Sequence, residues 1–127
     1  MGAAVNLADF LHDAPRDPAP WNCSTFPADW CIALGHHDFA APWRHIVEPA
    51  ECDAAAAGGL LALWEMGIPN RIPIAEAPFR AGDIAIIRRA GLEAGAIFDG
   101  ERWALRTDRG VAFITLPDTA IVKAWRP

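Results

Sequence analysis

The chain has 127 residues, 53% of them apolar, and a formal charge of −5. That length holds one domain around one core, and the apolar content excludes intrinsic disorder. The negative balance leaves no basic patch, which argues against nucleic acid and anionic membranes as partners.

Residues 5–12 carry apolar side chains at Val5, Leu7, Ala8, Phe10 and Leu11, which predicts a short amphipathic helix. Residues 13–20 contain three prolines and read as a linker. Residues 1–20 are therefore set apart from a single domain over 21–127. From 24 to 34 the pattern is helical again, with Phe26, Trp30, Cys31 and Leu34 near one face and Gly35 as a stop. Pro27 has no N–H to donate inside a helix, so a tight first turn, or a regular helix starting near Phe26, is required. A short helix is expected at 40–45. An alanine-rich helix should begin at Pro49-Ala50-Glu51 and run through Ala57 to Gly58-Gly59. Another is expected over 60–66, stopped by Gly67 and Pro69.

After Pro78 the period changes. Residues 83–88, 94–99, 103–107, 111–116 and 121–125 are short runs rich in β-branched or aromatic residues, which predict strands. Asp99-Gly100 between two such runs is a hairpin signal. The expected fold class is α+β: N-terminal helices packed on a small antiparallel meander, curved or closed into a half-barrel. The longest apolar run, 54–64, includes two glycines and is too short to span a bilayer. No secretory signal pattern opens the sequence.

Cys23, Cys31 and Cys52 show no C-x-x-C spacing, and Cys31 and Cys52 read as buried small hydrophobes. His36, His37 and His45 form no zinc-finger spacing with them, so no metal or cofactor is expected. Asp83 reads as a turn or strand-edge carboxylate and Asp29 as part of a solvated helix face. The six Trp are expected mainly in the core, with room for one or two at a docking surface.

Cys23 is the residue with chemical promise. It stands at a predicted helix start, where free backbone N–H groups and the positive end of the dipole favour thiolate over thiol. Asn22-Cys23-Ser24 resembles the Asp-Cys-Ser nucleophile motif of NlpC-like papain-fold hydrolases. Ala81-Gly82-Asp83-Ile84-Ala85-Ile86 resembles the Gly-Asp-Leu-Val-Phe-Phe run that opens their sheet. The outline Trp21-x-Cys23-x-x-Phe26-x-Ala28-Asp29-Trp30, Gly35 to Asp38, Gly58-Gly59, Gly82-Asp83 and a terminal Ala124-Trp125-Arg126 is similar to that of uncharacterised phage and prophage proteins related to NlpC-like domains.

That resemblance implies a papain fold and, for an active member, a histidine on the second strand that takes the thiol proton. The family run His-Val-Gly-Ile-Tyr matches Glu93-Ala94-Gly95-Ala96-Ile97, so Glu93 stands where the histidine should be. No histidine follows His45, and the third catalytic position falls at 104–106, where no His, Asn or Gln occurs. A carboxylate beside a thiol opposes its ionisation and is a poor base for it. His36, His37 and His45, or His12 from the first helix, are the imidazoles left to serve.

The resemblance therefore implies a catalytically degenerate domain made in a bacterial cytoplasm. It would act as a structural or adaptor component of a phage or gene-transfer-agent tail and contact other tail-tip proteins. The alternative is an active cysteine peptidase or amidase that cuts peptidoglycan stems. In it Cys23 is the nucleophile, and its own backbone N–H lines the oxyanion hole.

Overall fold

A computed structural model describes residues 6–19, 21–55 and 57–127, with the backbone alone for Asp53. Val5, Pro20 and Ala56, which fall in the predicted first helix, linker and third helix, lie outside the described residues. The helical half comprises α1 (Leu7–Asp13), α2 (Asn22–Ala33), α3 (Pro49–Ala55) and α4 (Leu60–Gly67). The second half holds β1 (Ile74–Ala75), β2 (Ile84–Arg89), β3 (Leu92–Phe98), β4 (Trp103–Thr107), β5 (Gly110–Ile114) and β6 (Ile121–Trp125). A 3-10 turn, Asp118–Ala120, precedes β6. The protein is α+β. Among the described residues no helix is long and apolar enough to cross a membrane.

The sheet is antiparallel, six-stranded and open, in the order β1-β6-β2-β3-β4-β5. The expected meander holds only from β2 to β5. β6 returns to pair with the far side of β2, and β1 pairs beyond it. β6 belongs inside because it is apolar on both faces, with Ala124 and Trp125 buried. β1 was not predicted, since two residues carry no period. The helix expected at 40–45 is instead a run of turns: the Trp43 and Ile46 N–H groups reach back only three residues, to Ala40 and Trp43, each at 3.0 Å, and the Asp38 side chain takes the Ala40 N–H at 2.9 Å.

α2 lies against the sheet and is buried at Ser24, Thr25, Phe26, Pro27, Ala28, Trp30 and Cys31. A helix buried on nearly all sides has no amphipathic stripe, so the one-face pattern read from the sequence undercounts its contacts. The helix starts at Asn22 and runs through Pro27. Its first turn is the tight one: the Trp21 carbonyl accepts from both Ser24 and Thr25, each at 2.8 Å. α1 folds onto it, with the Phe10 ring stacked 5.5 Å from Phe26.

Two clusters fill the two faces of the sheet. Ile84, Ile86, Ile97 and Trp125 meet the helices. Ala85, Ile87, Ala96 and Trp103 face the other way, beneath Phe79 and Phe98. All six Trp are buried, none more than 6% exposed. The expected core placement therefore holds for all six, and none stands at a docking surface. Trp21, Trp43, Phe39, Trp64 and Trp125 form a continuous aromatic chain, with neighbouring rings 4.9 to 6.5 Å apart.

α2 approaches β3 most closely at Gly95. A Cβ there would stand 2.6 Å from the Cys23 carbonyl oxygen, 2.7 Å from Trp64 Cζ2 and 3.1 Å from Ser24 Cα. Two of the three are backbone atoms that cannot swing away. Gly95→Ala should therefore cost about 2–3 kcal/mol. Gly91→Ala meets nothing within 4 Å and bears only the strain of φ +78°, about 1 kcal/mol. Urea unfolding of the two variants measures the difference, and equal losses would refute the close approach.

Candidate functional site at the start of helix α2

Cys23 is the second residue of α2 and is half-buried. Its Sγ makes no hydrogen bond among the described residues. The helix start was expected to offer it free N–H groups, and the structure corrects this. The Asn22 N–H goes to the Ala19 carbonyl at 3.1 Å, and the Ser24 and Thr25 N–H groups go to Trp21. The N–H of Cys23 itself goes to Asn22 Oδ1 at 2.7 Å. Asn22 is held for this by its own Nδ2, which donates to the Asp17 carbonyl at 2.8 Å. All four leading N–H groups are thus satisfied locally. The group that would line an oxyanion hole is one of them.

No imidazole reaches the thiol. His12 bonds Asp13 at 3.1 Å on the exposed face of α1, and His37 Nε2 meets the Gly67 carbonyl at 3.1 Å. His36 and His45 make no hydrogen bond to Cys23. Of the other cysteines, Cys31 is buried, and that burial, with the Asp38 charge behind it, pushes its thiol up to about 12. Cys52 is buried and donates to the Ile46 carbonyl at 3.4 Å.

Glu93 is engaged at both oxygens. Oε1 accepts the Leu60 N–H at 3.1 Å and so caps α4 from the neighbouring sheet, a task that Gly59 cannot perform with a side chain. Oε2 accepts from Arg88 Nη2 at 2.7 Å, its cross-strand partner. The Arg88 bond first, then the Leu60 N–H, hold the Glu93 carboxyl below the ordinary carboxylate range. This is the opposite of what a carboxylate base for a thiol requires.

Arg106, in the stretch 104–106, is 6% exposed. Its Nε donates to the Asn22 carbonyl at 3.2 Å and its Nη2 to Thr25 Oγ1 at 2.7 Å. Nη1 pairs with Asp29 at 3.0 Å, and the guanidinium lies 5.2 Å over the Phe26 ring. Asp29, expected to be solvated, also pairs with Arg44 at 2.8 Å, and Arg44 grips Asp38 through two bonds of 2.8 and 3.0 Å. Burial pulls the Asp38 carboxyl upward, but the Arg44 bond and the Ala40 N–H outweigh it and hold it low. The one sequence signal for this network was a charge at an inward-facing position of Trp103-Ala104-Leu105-Arg106-Thr107.

Asp83 stands, as expected, in the turn that leads into β2, but it is buried and clasped. It is 1% exposed, accepts two bonds of 2.8 Å from Arg126 and takes the Arg80 N–H at 2.8 Å. Trp30 Nε1 donates to the adjacent Gly82 carbonyl at 3.2 Å.

The sequence matches, over residues 3–127, a family described as a domain of unknown function, DUF6950. The chain belongs to that family. No curated protein and no solved structure matches it.

Removing the Glu93 carboxylate should destabilise the DUF6950 domain. Glu93→Ala loses the α4 cap and the Arg88 bond, about 1–2 kcal/mol, whereas Glu93→Gln keeps an oxygen for Leu60 and loses less. The pH dependence has a definite sign. A carboxyl whose folded pKa is lowered stabilises fully above its unfolded value, 4.5 for Glu93, and loses that contribution as pH falls through the folded value. Wild type should therefore weaken on acidification below about pH 4.5, and Glu93→Ala should weaken less over the same window. Denaturant titrations between pH 7 and 3 measure both.

Arg106→Met should cost about 3 kcal/mol, because buried partners lose their cation. Arg106→Lys should not rescue it, since an ammonium cannot reproduce the fork to Asn22, Thr25 and Asp29. Thermal unfolding of the two variants checks this; a wild-type-like Arg106→Lys would contradict it.

Proposed function

We propose that the chain is a papain-fold domain of the NlpC-like type without catalytic activity, serving as a structural or adaptor component of a phage or gene-transfer-agent tail near its tip. The observation that carries the loss of catalysis is the state of the groups that the resemblance would set to work with Cys23. The residue at the base's place, Glu93, has both oxygens engaged with α4 and Arg88. The Cys23 N–H and Arg106, in the stretch where the resemblance puts the third position, are likewise committed to bonds that hold the fold. The papain-type reading draws support from the order of elements, a cysteine-headed helix followed by an antiparallel sheet. It also draws on Gly95, at the position of the family's glycine, where α2 lies closest to β3. The tail setting draws on the sequence outline shared with phage and prophage proteins.

One observation favours the alternative of an active peptidoglycan hydrolase: Cys23 is only half-buried, at the head of a 12-residue helix. Alkylation by iodoacetamide separates the two, because Cys31 and Cys52 are buried and the label reports Cys23. The degenerate domain should react at pH 6 no faster than a cysteine in a short peptide. It should release no stem peptides from purified sacculi. Reaction about tenfold faster at pH 6, with stem cleavage that Cys23→Ala abolishes, would establish the hydrolase. In particles purified from a producing strain, mass spectrometry should find the chain in the tail fraction, and Cys23→Ala should leave particle yield unchanged. Absence of the chain from tails would remove the structural assignment.

A further inference from the structure

The two edges of the sheet are treated differently. β1 is two residues long and follows Pro73, which are ordinary defences of a sheet edge. β5 has five residues, Gly110-Val111-Ala112-Phe113-Ile114, with no charge and no proline. Among the described residues no strand pairs with its outer side. A strand of this kind presents unpaired N–H and C=O groups to any extended chain that comes alongside.

α1 runs beside β5 but does not seal it. Between them lies an open cleft of about 970 Å³. Leu7 and Leu11 of α1 form one wall, and Val111 and Phe113 of β5 the other. Phe113 is 37% exposed. At the end of the cleft stands Arg102, with its guanidinium 4.8 Å over the Phe113 ring. Its nearest carboxylate, Asp99, is 4.0 Å away, and Asp99 Oδ1 is occupied by the N–H groups of Glu101 and Arg102 at 2.8 and 2.6 Å. The guanidinium is half exposed, and its one ion pair among the described residues is the long contact with Asp99 Oδ2, which leaves donors free toward the cleft.

We propose that this cleft is a docking site for an extended segment of a partner protein, which adds to β5 as a seventh strand. The edge of a strand selects an extended backbone, and a small molecule would leave most of its groups unanswered. The apolar walls select apolar residues at alternate positions of the incoming segment. Arg102 selects a carboxylate where that segment passes it. Five residues of edge correspond to about 17 Å of strand. The site is separate from Cys23 and does not rest on the reading given to the thiol.

A random twelve-residue peptide library panned on the whole protein tests the proposal, with the selected peptides resynthesised. The expected peptides alternate apolar residues and carry Asp or Glu. Their binding should slow amide hydrogen exchange at Val111 and Phe113, whose N–H groups point away from β4, at least tenfold. Arg102→Glu should weaken them at least tenfold, with the fold confirmed by an unchanged thermal midpoint. Should Arg102→Glu unfold the chain, Arg102→Gln takes its place, with a loss of severalfold expected. Three results would overturn the proposal. One is no enrichment. Another is selected peptides that protect amides elsewhere. The third is Val111 and Phe113 amides already protected without peptide in a dimer seen by light scattering, which would mean that a second copy fills the edge.

Discussion

The distance between α2 and β3 sets the rest of the structure. Gly95 removes the side chain that would hold the helix away, and the helix backbone at Cys23 and Ser24 settles into that space. Pro27 contributes from the other side. It withholds the N–H that the Cys23 carbonyl would otherwise receive in a regular helix, at the carbonyl that faces Gly95. Once the helix is seated, its rotation is fixed by Arg106, which grips Asn22, Thr25 and Asp29 along successive turns. A buried guanidinium is costly to desolvate unless every face finds a partner. Here three carry hydrogen-bond or ion-pair partners and the flat face meets Phe26. The position of the thiol is a consequence of this packing.

The short runs that carry the sequence resemblance turn out to be spatial partners of one another. Trp30 bonds Gly82, Asp83 clasps Arg126, and the stretch around Cys23 rests on Gly95. Each pair joins segments far apart in the chain, and each closes a different side of the fold. Asp83 and Arg126 tie the start of β2 to the residue after β6, and so secure the strand that returns to the centre of the sheet. These residues are accounted for by the architecture, with no chemistry required of them.

Much of this was legible in the sequence where a period existed to read. β4 and β6 fall on the predicted residues, and the α4 stop at Gly67 follows from the glycine and the nearby proline. What was not legible depends on partners distant in sequence. Asp29 looks like a solvated carboxylate until Arg106 and Arg44 arrive from β4 and from the turns after α2. Glu93 looks like a displaced catalytic residue until the N-terminus of α4 comes within reach of it. The tryptophans follow from size alone: their apolar area makes them core residues throughout, as expected, with none left for the surface.

A helix start serves a nucleophile only while its N–H groups are unclaimed, because the charge at that end resides on them. Asn22 claims the decisive one, and its other bonds explain why asparagine fits there. Its Oδ1 accepts from Cys23, its Nδ2 donates to the linker at Asp17, and its backbone carbonyl accepts from Arg106. An aspartate, the residue in the motif that this run resembles, could accept but could not donate to the Asp17 carbonyl. Asparagine thus ties the linker, the helix and the sheet together at one point, and it does so with the N–H that hydrolysis would require.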